Sequence, residues 1–193
     1  MKNIAVFASG SGTDFQSIID GVKSGAIDGV IKLLISGNES AYAIERAKNN
    51  GIKRYIFKKS DYADAEAMGE GLIALMEENA IDLIVLAGYM SILGKNFVKR
   101  YYRRIINVHP SLIPKHCGMG YYGIKVHESV IASGDKVSGA TVHFVDEGVD
   151  TGPIILRREV AVLPDDTPET LQKRVLELEH KLLPEAVALL CKN

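Results

Sequence analysis

An asparagine and a histidine stand two residues apart in Asn107-Val108-His109-Pro110, and an aspartate, Asp150, follows further along the chain. Side chains alternate along an extended strand, so Asn107 and His109 share one face while Ile106 and Val108 take the other. An amide donates N–H, an imidazole donates or accepts, and a carboxylate accepts. Pro110 ends the strand and places the pair at its carboxyl end, where a doubly wound fold puts its ligands. A buried histidine satisfied by a neighbouring amide would give the same local pattern, and spacing alone does not choose between the two. Asp150, flanked by Thr151-Gly152-Pro153, also reads as a capped turn, and His143 in Val142-His143-Phe144-Val145 reads by itself as structural.

A second centre is Ser9-Gly10-Ser11-Gly12-Thr13-Asp14, between an apolar run and a helical segment. Small residues let the backbone approach an anion, and a helix start offers free N–H groups and a positive dipole end. The bland alternative is a tight turn with Thr13 or Asp14 capping the helix. The dinucleotide fingerprint would require a third glycine where Phe15 stands, and Glu39 is the candidate for its ribose-binding acid. Glu179 falls on the flank of an apolar stripe, where a carboxylate either reaches water or meets a hydroxyl-rich ligand; His180 falls on the polar side and is expected to be solvated. His109, His116, Cys117, His127 and His143 lack zinc-ligand spacing, so no metal site is expected.

The elements that must hold these groups alternate between apolar, β-rich runs and helical periods. Strands are expected at Ile4–Ala8, Val30–Ser36, Tyr55–Lys58, Leu83–Ala87 and Ile105–His109. Helices are expected at Thr13–Lys23, Ala41–Asn49 and Ala65–Asn79. Continuous apolar strands separated by helices predict an α/β, doubly wound, mostly parallel sheet with ligands outside the strands' carboxyl ends. Beyond Pro110 the pattern changes to a Gly/Tyr-rich loop, a helix near Val126–Ala132, and alternating strands Ser138–Val145 and Ile154–Val162. A terminal helix starts after Thr167 as N-cap and Pro168 at the first position, with the stripe Leu171, Val175, Leu178, Leu182 and Leu189.

The 193 residues fit a single domain, 1–193, and the net charge of −1 excludes nucleic-acid binding by a bulk basic surface. Two cysteines, Cys117 and Cys191, make no disulfide framework, and no run reaches the ~18 apolar residues of a membrane span. The apolar start is too short for a signal-peptide core of ~7–15 residues, so a cytoplasmic protein is expected.

Together these pieces resemble the folate-dependent phosphoribosylglycinamide (GAR) formyltransferase family. The likeness rests on Ser9-Gly10-Ser11-Gly12-Thr13, Leu86-Ala87-Gly88-Tyr89-Met90, and Asn107-Val108-His109-Pro110-Ser111-Leu112-Ile113-Pro114. It continues through Gly139-Ala140-Thr141-Val142-His143-Phe144-Val145, Asp150-Thr151-Gly152-Pro153-Ile154 and Glu179-His180. The resemblance implies a Rossmann-like formyltransferase fold, with a phosphate-binding half at 1–100 and a catalytic, folate-binding half at 101–193. It implies Asn107, His109 and Asp150 as the catalytic set. Ser11, Gly12, Thr13, Asp14, Met90 and Glu179 would meet the phosphorylated substrate. Leu86, Tyr89, Met90, Ser91, Ile92, Leu93, Asn107, Val142, Val145 and Asp146 would meet 10-formyltetrahydrofolate. The implied reaction is attack of the GAR amine on the formyl carbon in purine biosynthesis. Asn107 and a protonated His109 would donate to the formyl oxygen, and Asp150 would keep His109 charged and take the amine proton.

The family often has Asn where Asp14 stands and Arg where Ser91 stands. A carboxylate at 14 must turn away from a phosphate, and the cationic contact must come from elsewhere. Within the superfamily, 10-formyltetrahydrofolate hydrolase and methionyl-tRNA formyltransferase share the catalytic set but carry extra domains, and a tRNA binder would show a basic surplus. From other classes, a nicotinamide-dependent oxidoreductase would explain the first loop and Glu39, and a non-catalytic nucleotide sensor would bind phosphate without needing His109. The partners expected are small molecules, with neither nucleic acid nor membrane, for a monomer or weak homodimer. Gly118–Gly123 reads either as a mobile lid or as an ordered turn.

Overall fold

The computed structural model describes residues 1–192. Thirteen helices and strands follow one another as β1 (Lys2–Phe7), α1 (Thr13–Lys23), β2 (Gly29–Ser36), α2 (Tyr42–Asn49), β3 (Lys53–Ile56), α3 (Ala65–Glu78), β4 (Leu83–Leu86), α4 (Lys95–Arg100), β5 (Ile105–His109), α5 (Ile124–Ser133), β6 (Val137–Phe144), β7 (Ile154–Ala161) and α6 (Pro168–Cys191). One seven-stranded sheet runs in the order β3-β2-β1-β4-β5-β6-β7. The first five strands pair in parallel, and β6 and β7 add antiparallel. The doubly wound expectation and its antiparallel extension therefore hold.

Alternation along the strands divides the core between two faces. Ile4, Val6, Ile106, Val108 and Val142 pack in one cluster with residues of α1, α2, α5 and α6. Ala5, Phe7, Ile84 and Ile105 pack in the other with residues of α3 and α4. The strand order reverses between β1 and β4, so the loops leaving these two strands diverge and open a crevice at their carboxyl ends.

Three details depart from the sequence reading. Helix α4 was not expected: it has six residues, and the backbone N–H groups of Lys95 and Asn96 at its start donate to the Glu66 carboxylate of α3 at 2.6 and 3.0 Å. A cap supplied from 29 residues away leaves no local signature. Neither Thr13 nor Asp14 caps α1; Gly12 stands at the N-cap with φ +68° and no side-chain bond. A Cβ there would lie 2.8 Å from that of Ala43, so both backbone and space demand glycine. On α6, whose Thr167 cap forms as expected, the buried stripe runs through Glu179, Leu183, Ala186 and Val187, whereas Leu189 is exposed.

Candidate active site

The carboxyl ends of β1, β4 and β5 open into a cleft of about 920 Å³. Asn107 and His109 reach it from the last turn of β5, because alternation commits Ile106 and Val108 to the opposite core. The antiparallel register sets Asn107 directly opposite His143 of β6. The Nδ1–H of His143 donates to the Phe144 carbonyl (2.9 Å), and its Nε2 lies 3.3 Å from the Asn107 amide nitrogen. The second amide N–H of Asn107 stays available to the cleft. His143 is buried at 2% exposure, and it was not singled out from sequence because only the β5–β6 register brings it to Asn107.

Asp150 arrives from the loop after β6, held in the left-handed region at φ +57°, a conformation few non-glycine residues adopt. Its Oδ1 lies 3.5 Å from His143 Nε2 and its Oδ2 3.5 Å from His109 Nδ1. The Gly118 N–H donates to Oδ2 at 3.0 Å. Burial pushes this carboxyl up, but the His143 contact, the His109 ring and the Gly118 N–H outweigh it and hold the pKa below the ordinary range.

His109 donates from Nε2 to the His116 carbonyl at 2.9 Å. Both ring nitrogens thus face oxygens, and only the charged ring would satisfy both. Burial outweighs the pull of Asp150 and the carbonyl, however, and the pKa is lowered. The direction of this shift runs against the expectation that Asp150 keeps His109 charged. Cys117, close by, has its thiol pushed up by burial, which does not favour a thiolate nucleophile.

One end of the cleft is polar. Ser11, Gly12, Thr13 and Asp14 line it at the start of α1, with Glu179 of α6 across from them. The loop is braced: the Arg46 Nε–H donates to the Ser11 carbonyl (2.8 Å) and the Met90 N–H to Ser9 Oγ (3.0 Å). Glu179 is buried at 7% exposure, on the stripe rather than its flank. His180, expected to be solvated, instead has its Nε2 buried and without a hydrogen bond, 3.8 Å from Asp14 Oδ1.

The other end is apolar. Leu86, Tyr89, Met90, Ser91, Ile92, Leu93, Val145 and Asp146 all line it, with Met90 and Ile92 exposed at the rim. Val142 does not; it is fully buried in the core on the opposite face, as the alternation with His143 requires. Residues Gly118–Gly123 cover part of the cleft, with Met119, Tyr121 and Tyr122 exposed. Glu39 forms an exposed ion pair with Lys58 (2.7 Å) and does not line the cleft. No group of three or more histidine, cysteine or acidic residues able to hold a metal occurs among the described residues, and no helix among them is long and apolar enough to cross a membrane.

A doubly wound sheet with an Asn–His–Asp centre in its switch-point cleft, between a glycine loop and an apolar wall, defines a Rossmann-like protein built for chemistry on small molecules. The chain matches the formyl transferase family over residues 2–187, and it belongs to that family. It is 39% identical over 193 residues, all of its length, to the chloroplastic phosphoribosylglycinamide formyltransferase of Arabidopsis thaliana, and spans 66% of that relative. It is 40% identical over 184 residues to the phosphoribosylglycinamide formyltransferase of Haemophilus influenzae, covering 95% of this chain and 84% of the relative. Among solved structures, glycinamide ribonucleotide transformylase 1 from Symbiobacterium toebii superposes with a TM-score of 0.94 at 38% identity, over 100% of this chain and 88% of that one.

Proposed function

We propose that this chain transfers the formyl group of 10-formyltetrahydrofolate to the amine of phosphoribosylglycinamide, a step of purine biosynthesis. The carrying observation is the convergence of Asn107, His109 and Asp150 midway along one cleft, between a polar and an apolar end. The names of the relatives above support the same reading.

In this reading the α1 loop, Ser11 to Asp14, binds the substrate phosphate, Met90 lies beside the substrate, and Glu179 receives the ribose hydroxyls. The apolar end fits a folate ring system: Leu86, Tyr89, Ile92, Leu93 and Val145 offer apolar contact, while Ser91 and Asp146 add polar atoms. The folate supplies the formyl carbon. As the amine attacks it, the free amide N–H of Asn107 donates to the formyl oxygen, and one such donor is typically worth ~10²–10³ in rate. His109 supplies a second donor once its Nε2–H leaves the His116 carbonyl. Asp150, ionised beside it, accepts the amine proton directly or through water; the tetrahedral intermediate then collapses by breaking the bond from the formyl carbon to the folate nitrogen, which leaves as the amine with a proton returned to it. His143 fixes the orientation of the Asn107 amide and faces Asp150. Residues 1–193 act as one catalytic unit, with the phosphate loop in 1–100, the catalytic set in 101–193, and the folate wall drawn from both halves. The protein works in the cytoplasm as a monomer or weak homodimer, on small molecules.

The test follows folate product release spectrophotometrically from 10-formyltetrahydrofolate, with and without phosphoribosylglycinamide. Release that requires the amine substrate and disappears in His109→Ala is expected. Release without it would make the protein a hydrolase, and no release at all would leave a phosphate-binding protein without this activity.

A further inference from the structure

Two acids and a histidine at the polar end of the cleft have none of the partners that buried charges ordinarily require. Asp14, on the first turn of α1, has a side chain 13% exposed, and its Oδ1 has no hydrogen-bond partner. Glu179 lies across from it on α6, 7% exposed, close enough for the Asp14 charge to act on it. The third group, His180 Nε2, is 3.8 Å from Asp14 Oδ1, too far for a hydrogen bond, and is itself unpartnered. The cation packed nearest from α2, Arg46, is committed elsewhere: its Nε–H to the Ser11 carbonyl and its Nη1 to the Gln16 side chain at 3.1 Å. Glu177, one turn away on α6, faces His180 from the solvent side.

Two carboxylates in one poorly solvated site, with no cation to hold them, do not both ionise. The directions agree with that geometry. Burial pushes Asp14 up to about 7, and burial together with the Asp14 charge pushes Glu179 well up. His180 cannot neutralise the pair by charging, because burial and the Arg46 charge lower its own pKa. The same site opens onto the N-terminus of α1, where a phosphate would bring up to two further negative charges.

We propose that binding of the phosphorylated substrate draws one proton onto Asp14, so that its carboxyl meets the phosphate as a hydrogen-bond donor instead of as a second anion. This rests on the reading of the α1 loop as the phosphate site. The proton comes from solvent at pH 8, since a phosphate monoester with a second pKa of ~6 is already a dianion there and brings none. It settles on a carboxylate oxygen of Asp14, and no covalent bond is made or broken. Burial raises the proton affinity of Asp14, and Glu179, pushed up in turn by burial and the Asp14 charge, keeps its own place toward the sugar. Asp14 thereby makes binding sensitive to pH, which an asparagine at the same place would not.

The sign follows from the free state. Below about 7 Asp14 already carries its proton and binding takes up little. Above that value each binding event must recruit a proton, so affinity falls with rising pH, at most about tenfold per unit for one proton.

Isothermal titration of phosphoribosylglycinamide into the parent protein, Asp14→Asn and Asp14→Ser, at pH 8 in Tris and in HEPES, tests this. The two buffers differ in ionisation enthalpy, so a proton taken up shows as a buffer-dependent heat. Any proton released by the substrate amine is common to all three proteins and cancels in the comparison. The expected result is that the parent takes up close to one proton more than either variant, and that affinity falls between pH 7 and pH 9 more steeply in the parent. Equal proton counts in parent and variants, with binding intact, would overturn the proposal while leaving the phosphate site standing. Absence of binding in the parent would overturn the reading beneath it as well.

Discussion

The two ends of the Asn107–Glu179 cleft treat buried charge in opposite ways. At the catalytic centre Asp150 has the Gly118 N–H on one oxygen and a histidine ring 3.5 Å from each, and its pKa is held down. At the polar end Asp14 and Glu179 lack such contacts, and both are pushed up. Burial alone does not decide the state of a carboxyl here; the supply of donors does. A group that must accept a proton in turnover is kept ionised by fixed donors. A carboxyl left without donors holds its proton instead, and an arriving phosphate dianion strengthens that hold.

The largest effect should come from removing the charge where it is best supported. Asp150→Asn keeps size and one acceptor but removes the base, so kcat is expected to fall by at least ~10³ while affinity for phosphoribosylglycinamide stays within a few-fold. Turnover within a few-fold of the parent would break the contrast at its stronger end. Next comes His143→Ala, which frees the Asn107 amide to rotate and withdraws a contact from Asp150. A kcat loss of ~10² with little change in KM is expected, since the losses are felt where charge develops. A change confined to thermal stability would reduce His143 to a core residue. At the other end, Glu179→Ala removes an acceptor for the sugar, and substrate affinity is expected to weaken by ~10-fold while folate affinity holds. Equal losses for both ligands would misplace Glu179.

The same contrast explains what the sequence made legible. Strand alternation, the glycine loop and the order of motifs declared the doubly wound sheet, its antiparallel addition and the positions of Asn107, His109 and Asp150. These depend on local periods and short spacings. His143, by contrast, acquires its contacts from the β5–β6 register, and α4 acquires its cap from Glu66, neither of which a local pattern records. Val142 was assigned to the folate wall through the family motif, yet alternation with His143 turns it into the opposite core. The direction of the His109 shift was misjudged because proximity of Asp150 can be inferred from a motif while the depth of burial cannot. His180 follows the same rule: its helical position looks polar, but packing of α6 against α1 closes over its Nε2.

The smallest expected effect separates the two ends without any ligand. Asp14 in the unfolded chain titrates near the ordinary aspartate value of 3.8, and in the folded protein it holds its proton to about 7. Its contribution to stability is therefore fully present below 3.8 and is lost as pH rises toward and through 7. Asp150 runs the other way: with its folded pKa depressed, its contribution is present above the unfolded value and lost only in acid. Between pH 5 and pH 8 the melting temperature of Asp14→Asn should gain on the parent's by about 5–10 °C, since the proton held to about 7 contributes ~1.4 kcal/mol per pH unit crossed and a protein of this size shifts ~2–4 °C per kcal/mol. Over the same interval the Asp150 carboxyl contributes no change of its own, so the difference between Asp150→Asn and the parent should move only by the smaller amount that His109 adds on losing the pull of Asp150. Melting by circular dichroism at the two pH values reads both. Parallel behaviour of the two variants would mean that the unpartnered acids at the start of α1 ionise as readily as the partnered one, and the contrast between the ends would be lost.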